Sequence, residues 1–158
     1  MINICYDVCS NLCLQFNSKK SKILCFGKCY REVLFPIFIG DAPLEYVQEW
    51  KYLGTTLVSG KNLLFSARPD LSSFIRASNS IITALPDAHA HVILQLLYSN
   101  CVPILSYASE VKEYSAIDMS NCNLAMNSAL RRVFGFSDWR SIRVLREIFG
   151  FKSIPLLT

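Results

Sequence analysis

The spacing of apolar residues changes once along this 158-residue chain, and the change limits the folds it can adopt. Before residue 59 the apolar residues form short runs such as Ile23–Phe26, separated by turn signals such as Gly40–Pro43. After Leu71 they recur every three or four residues, which is the period of a helix with one buried face. The pattern predicts an α+β chain with its classes segregated, in which a small antiparallel sheet precedes a bundle of helices.

An N-terminal helix is predicted over residues 2–16, ahead of the sheet. Its apolar stripe includes Cys5, Cys9 and Cys13, and we expect these cysteines in the core because free cysteine is often buried. The chain has seven cysteines, no CxxC and no paired Cys/His spacing. We therefore expect neither a zinc site nor a disulfide framework.

The strands are predicted over residues 22–29, over residues 33–39, and from Leu44 to a point before Ser59. Pro36 suggests an edge position or a bulge in the second strand. The third is predicted either as one strand or as two strands broken near Glu49.

The second half predicts four helices. The first begins at Pro69-Asp70 and ends at Pro86. Asp87 is expected to cap the next helix, which is apolar nearly all round between Val92 and Tyr98 and is therefore expected to be the buried central helix. Pro103 is expected to end or kink that helix. Two further helices follow. The inward-facing residues of the first are Cys122, Ala125, Met126, Ala129, Leu130 and Val133. The second is expected to be capped by Asp138, and its inward-facing residues are Ile142, Leu145 and Phe149.

Composition and charge narrow the function classes. The chain is 52% hydrophobic and 18% charged, which excludes a disordered chain. It has no apolar run long enough for a membrane span and no signal peptide at its start, so we expect an intracellular protein with no membrane partner. Residues 1–31 carry a net charge of +4, residues 32–130 carry −4, and residues 131–158 carry +4. These basic ends permit an anionic partner such as nucleic acid without requiring one.

Three stretches occur in an informative order. Residues 14–26 contain Asn-x-x-Lys-Ser, residues 50–54 are Trp-Lys-Tyr-Leu-Gly, and residues 100–110 contain Pro-x-Leu-x-Tyr-x-x-Glu. In this order and spacing they resemble the C-terminal part of the reverse transcriptase domain of non-LTR (LINE-type) retrotransposons. The tail, residues 127–151, resembles the segment that follows the thumb in that family.

The resemblance implies a truncated fragment of a right-hand polymerase. Residues 1–60 would be a palm-edge remnant with a primer-grip hairpin, residues 61–105 thumb-like helices, and residues 106–158 a post-thumb helical segment. Lys20 matches the motif D lysine, with Lys22 as the alternative; in related polymerases this lysine protonates the pyrophosphate leaving group.

The sequence departs from the family at the catalytic centre. Two metal ions held by carboxylates carry the family's chemistry, but this chain has no Asp-Asp, and its six aspartates are never closer than 17 positions apart. The fingers and the endonuclease are also missing. We therefore expect a fragment that begins just after the catalytic turn and is not an enzyme on its own. We also expect it to bind no metal or cofactor, because the resemblance implies Mg²⁺ only for a complete family member.

The expected residual role is binding of an RNA/DNA primer-template. The residues expected to carry it are Lys19, Lys20, Lys22, Trp50, Lys51, Tyr52, Gly54, Arg131, Arg132, Arg140 and Arg143. The alternatives are that the lysines form a solvated turn, the aromatic residues belong to the sheet core, and the arginines form a solvated helix face. His89 and His91 are two positions apart, so they do not share a helical face, and we interpret them as surface residues.

A second hypothesis has no nucleic-acid role. The chain would then be a helical protein-interaction module that docks on other parts of a reverse transcriptase, or an orphan open reading frame without selected function. The high apolar fraction motivates this hypothesis, because a severed palm sheet leaves an exposed edge through which copies of the chain would associate.

Overall fold

The computed structural model describes residues 2–32, 35–112 and 114–148. The chain divides between residues 64 and 65 into two compact units. The described residues mix several α-helices with small β-sheets, strands preceding most of the helices, which confirms the mixed fold class. The relation to a polymerase and the three-part division at residues 60 and 105 stay predictions.

Among its described residues, the first unit contains one helix and several short strands. The elements are α1 (Ile2–Asn11), β1 (Lys22–Ile23), β2 (Phe38–Ile39), β3 (Ala42–Pro43), β4 (Glu45–Tyr46), β5 (Glu49–Tyr52) and β6 (Thr55–Val58), with β7 (Leu64–Phe65) at the unit boundary. Strand β1 pairs in parallel with β4, whereas β2–β3 and β5–β6 are antiparallel hairpins. The expectation of one antiparallel sheet is therefore wrong, because β1 finds its partner beyond an intervening hairpin rather than across a turn.

The helix and the first strand are shorter than predicted. Cys13 adopts a left-handed backbone with φ 58°, and the amide of Leu14 donates to the carbonyl oxygen of Cys9 at 2.8 Å, so α1 ends before residue 16. In residues 24–29, the described remainder of the predicted first strand, sheet pairing is reduced to one isolated bridge between Phe26 and Gly60. Of the two alternatives for the segment from Leu44, the break near Glu49 is observed, because β4 ends at Tyr46 and β5 starts at Glu49. A further turn at Leu53-Gly54 divides the rest, so the segment forms three strands rather than one or two.

The predicted burial of the cysteine stripe is wrong. Helix α1 has no buried residue, and Cys5 and Cys13 are exposed. The second strand is observed only as β2; residues 33 and 34 of the prediction lie outside the described residues.

The second unit is helical. Its elements are α2 (Arg68–Ala84), α3 (Ala90–Leu96), a π-helical turn (Leu97–Cys101), α4 (Val102–Ser106), α5 (Ala116–Phe134) and α6 (Trp139–Ile148). One apolar cluster joins them, and its largest fully buried side chains are Phe74, Leu105 and Leu130. The predicted stripe on α5 is confirmed, since Cys122, Met126, Ala129 and Leu130 are buried and Ala125 and Val133 pack against them.

Two local predictions in the second unit are wrong. His89, not Asp87, occupies the position before α3. The segment from Val92 to Tyr98 is not buried all round, because Val92 on α3 is 43% exposed and Tyr98 in the π-helical turn is 37% exposed. Pro103 does not end the helical run, because α3, the π-helical turn and α4 follow one another without a gap and Pro103 lies in the first turn of α4, directly after the π-helical turn.

The ends of α5 and α6 follow local chemistry. Ser115 caps α5 by accepting a hydrogen bond from the amide of Asp118 at 3.1 Å, and Gly135 ends it with φ 67°. Ile142 is buried and Leu145 packs against the core, as predicted for α6, whereas Phe149 lies outside the described residues.

No helix among the described residues is long and apolar enough to cross a membrane.

Candidate nucleic-acid interface

Residues 17–21 form a tight turn that we call the lysine turn. Asn17 holds it, since its side-chain oxygen accepts from the amide of Lys20 at 3.1 Å and its carbonyl oxygen accepts from the amide and the hydroxyl of Ser21 at 3.0 Å each. Lys19 and Lys20 are both exposed on this turn. Two ammonium groups are therefore presented to solvent on a backbone that is fixed by its own hydrogen bonds.

Lys22 behaves differently from the two lysines before it. Its side chain is only 17% exposed, and its ammonium forms an ion pair with Glu45 on the neighbouring strand β4. The same ammonium lies 5.7 Å from the centre of the Trp50 ring on β5. Because its charge already has a carboxylate partner, Lys22 is a poorer phosphate ligand than the prediction assumed, and it acts as a link between strands.

Strands β5 and β6 form a hairpin, residues 49–58, that we call the grip hairpin. Its two-residue turn has φ 46° at Leu53 and φ 80° at Gly54, which is the signature of a type I′ turn. Alternation along β5 puts Trp50 and Tyr52 on one face and Lys51 on the other. Tyr52 is 58% exposed and Lys51 is exposed, whereas Trp50 is half-buried. The hairpin therefore presents one aromatic ring and one cation, not two aromatic rings.

Lys22 directly follows the lysine turn, and its contact with Trp50 links the end of that turn to the grip hairpin within the first unit. The contact between Lys22 and Trp50 thus holds together two elements predicted from the sequence that lie about thirty positions apart along the chain. Glu45, the carboxylate that anchors the pair, was not predicted as a site residue. Its one visible signal is that Glu45, Glu49 and Lys51 occupy odd positions of the alternating run, and that pattern does not specify a partner.

The predicted arginines belong to the second unit. Arg131 and Arg132 lie in the last turn of α5, where the helix dipole favours cations. The guanidinium of Arg132 donates to Oδ1 of Asn79 on α2. With Ser128, Gly135 and Phe136 the two arginines line a shallow cavity of about 370 Å³. The side chains of Arg140 and Arg143 lie outside the described residues, so their part in a basic face stays a prediction.

A buried polar cluster in the second unit was also missed. Lys112 pairs with Asp70, and the hydroxyl of Tyr114 donates to the same carboxylate oxygen at 3.0 Å. Burial and the nearby negative charge of Asp70 raise the pKa of Tyr114 well above its ordinary value. Nothing in the local sequence marks a lysine that finds its carboxylate 42 positions away.

Comparisons with known proteins add no relative. No known protein family, no curated protein and no solved structure matches the chain. The resemblance to reverse transcriptases therefore stays a prediction. Among the described residues no three His, Cys, Asp or Glu side chains are arranged to hold a metal ion.

Proposed function

We propose that the chain is an incomplete reverse transcriptase fragment whose activity is binding to the sugar-phosphate backbone of an RNA–DNA duplex, through the lysine turn and the grip hairpin. The contact between the Lys22 ammonium and the Trp50 ring carries this proposal, because it holds both elements in one unit. No polymerase chemistry is proposed, since the chain has no pair of adjacent aspartates.

The side chains of the two elements differ in their roles in this proposal. Lys19 and Lys20 supply cations for phosphate oxygens, and every neutralised phosphate releases counterions, which favours binding at low salt. Lys51 lies on the face of β5 opposite Tyr52 and is not assigned a phosphate contact. Tyr52 supplies an exposed ring that packs against a sugar or a base edge. Lys22 contributes by holding Trp50 in place rather than by contacting phosphate.

Fluorescence anisotropy of a labelled RNA–DNA duplex at two salt concentrations tests the proposal. A Lys19→Ala/Lys20→Ala variant is expected to bind more weakly, with a slope of log K against log salt that is shallower by about two, because two phosphate contacts are lost. Lys28→Ala/Lys61→Ala is the matched control, since both lysines are exposed in the same unit and the net charge changes equally. Equal losses in the two double variants, or a flat salt dependence, would contradict the proposal.

A second candidate function is protein–protein binding by α1. This helix exposes Ile4 by 66% and Val8 by 51%, and Leu12, in the turn that follows the helix, is 65% exposed; the three residues are spaced four positions apart. An apolar stripe of this kind is typical of a helix that docks in a groove. Sedimentation velocity of the chain and of an Ile4→Ser/Val8→Ser variant tests self-association; identical monomeric behaviour of both would exclude association of copies through this face.

A further inference from the structure

A cleft of about 720 Å³ lies in the first unit between α1, the segment that follows it, and the β2–β3 hairpin. Its walls include the aromatic residues Tyr6 and Phe16 and the polar residues Ser10, Gln15, Ser18 and Asp41. The volume is within the range of ligand-binding clefts. Apart from Ser18, which belongs to the lysine turn, none of these residues has a role in the proposed duplex-binding function.

The lining favours a neutral, flat and polar-edged group. Asp41 is the one acidic or basic side chain among the ten lining residues, so the cleft itself repels phosphate. Phe16 is 41% exposed and Tyr6 is 37% exposed, which leaves ring surface for stacking. A nucleobase matches this chemistry, because it stacks on aromatic rings while its edge donates to carboxylate and amide oxygens.

The neighbouring charges favour a base that is still attached to its strand. Ser18 lines the cleft, and the exposed Lys19 and Lys20 follow it directly in the lysine turn. Phosphates bound by these lysines would therefore run beside the mouth of the cleft. A base inside a duplex is stacked and paired, so only an unpaired base could enter.

We infer that this cleft takes an unpaired nucleobase from a single-stranded segment adjoining the duplex, with the strand's phosphates on Lys19 and Lys20. The inference rests on the proposed function, because it uses the same lysine turn. Phe16 supplies the stacking face, and Gln15 and Asp41 supply hydrogen-bonding groups for the edge of the base.

The test compares three labelled ligands with equal phosphate numbers: a blunt RNA–DNA duplex, a duplex with a single-stranded overhang, and the same overhang made of abasic nucleotides. We expect the natural overhang to bind about tenfold more tightly than the abasic one, as one stacked base implies. Phe16→Ala should remove this gain and Phe16→Tyr should keep it. Phe35→Ala is the matched control, since Phe35 is an 88% exposed aromatic residue outside the cleft.

The outcomes separate this inference from the proposed function. Equal binding of natural and abasic overhangs, or equal losses in Phe16→Ala and Phe35→Ala, would overturn the cleft inference. Salt-dependent binding of the blunt duplex in that case would leave the proposed function standing. If none of the three ligands binds to a chain that is folded by circular dichroism, both proposals fail.

Discussion

The ammonium of Lys112 donates a hydrogen bond to Oδ2 of Asp70 over 2.7 Å, although the Lys112 side chain is only 1% exposed. The rings of Tyr107 and Tyr114 lie 5.3 and 5.7 Å from the same ammonium. Asp70 is in the first turn of α2, and Lys112 and Tyr114 lie between α4 and α5. One carboxylate therefore ties the connection between α4 and α5 to the start of α2.

Removing either partner of this pair should destabilise the second unit, but not equally. Asp70→Asn leaves the Lys112 charge buried without its counter-ion and is expected to cost about 3–5 kcal/mol of unfolding free energy. Lys112→Met should cost less, because the Asp70 side chain is 19% exposed and keeps its hydrogen bond from Tyr114. Urea denaturation of both variants measures the difference.

Asp87→Asn is the matched control for that comparison, since Asp87 is an exposed aspartate ahead of α3. Its unfolding free energy should stay within about 0.5 kcal/mol of the parent. A larger loss in Lys112→Met than in Asp70→Asn would contradict the assignment of Lys112 as the more buried charge.

Alkaline pH should destabilise the second unit. Burial, followed by the negative charges of Asp118 and Asp70, raises the pKa of Cys122 from 9.0 to about 11. Because the folded state holds this proton more tightly than the unfolded state, the stabilisation is complete below pH 9 and is lost between pH 9 and about 11. Urea denaturation across this range measures the slope.

Substitution separates the contribution of Cys122 from other alkaline effects. Cys122→Ala should flatten the fall in stability between pH 9 and 11, whereas Cys5→Ala, at an exposed cysteine, should leave it unchanged. An identical slope in both variants would show that Cys122 does not contribute.

A substitution in the turn of the grip hairpin should stabilise the first unit. Leu53 has φ 46°, a left-handed conformation that costs a residue with a branched apolar side chain about 1 kcal/mol and suits asparagine. Leu53→Asn creates the Asn-Gly dipeptide of type I′ turns and is expected to stabilise the first unit by about 0.5–1 kcal/mol. Trp50 fluorescence in a Trp139→Phe background reports its unfolding; a destabilised Leu53→Asn would contradict the turn type.

Any side chain at residue 40 should clash with the ring of Tyr6 unless that ring moves. A Cβ at residue 40 would lie 2.9 Å from the ring of Tyr6, and φ is +57°. Gly40→Ala is expected to cost about 1–2 kcal/mol from the left-handed backbone and to displace the Tyr6 ring as well. Repeating the substitution in a Tyr6→Ala background should leave only the backbone cost; equal costs in both backgrounds would show that Tyr6 does not pack there.

The helices of the second unit could be predicted because their signals are local. The stripe on α5 repeats every three or four residues, Pro69 and Asp70 mark the start of α2, and Gly135 follows the last turn of α5. A helix forms its hydrogen bonds within itself, so neighbours along the chain contain most of the information.

The candidate interface was only partly predictable. The exposed lysine turn follows from Asn17 and the residues after it, but the pairing of Lys22 with Glu45 depends on a parallel strand contact with no turn to signal it. The apolar stripe of α1 predicted a buried face and the structure exposes it. Periodicity shows which face of a helix is apolar and does not show whether another element covers it.

The sequence by itself thus determined the mixed α/β class of the fold and the buried face of α5. Only the tertiary structure decided which lysines are exposed for binding a ligand. Lys19 and Lys20 are exposed, whereas Lys22 forms an ion pair with Glu45 and Lys112 forms one with Asp70. The physical reason is that a helix is stabilised by residues one turn apart along the chain. These ion pairs join residues that are distant in sequence, so they form only when the intervening chain has packed and brought the two segments within hydrogen-bond distance.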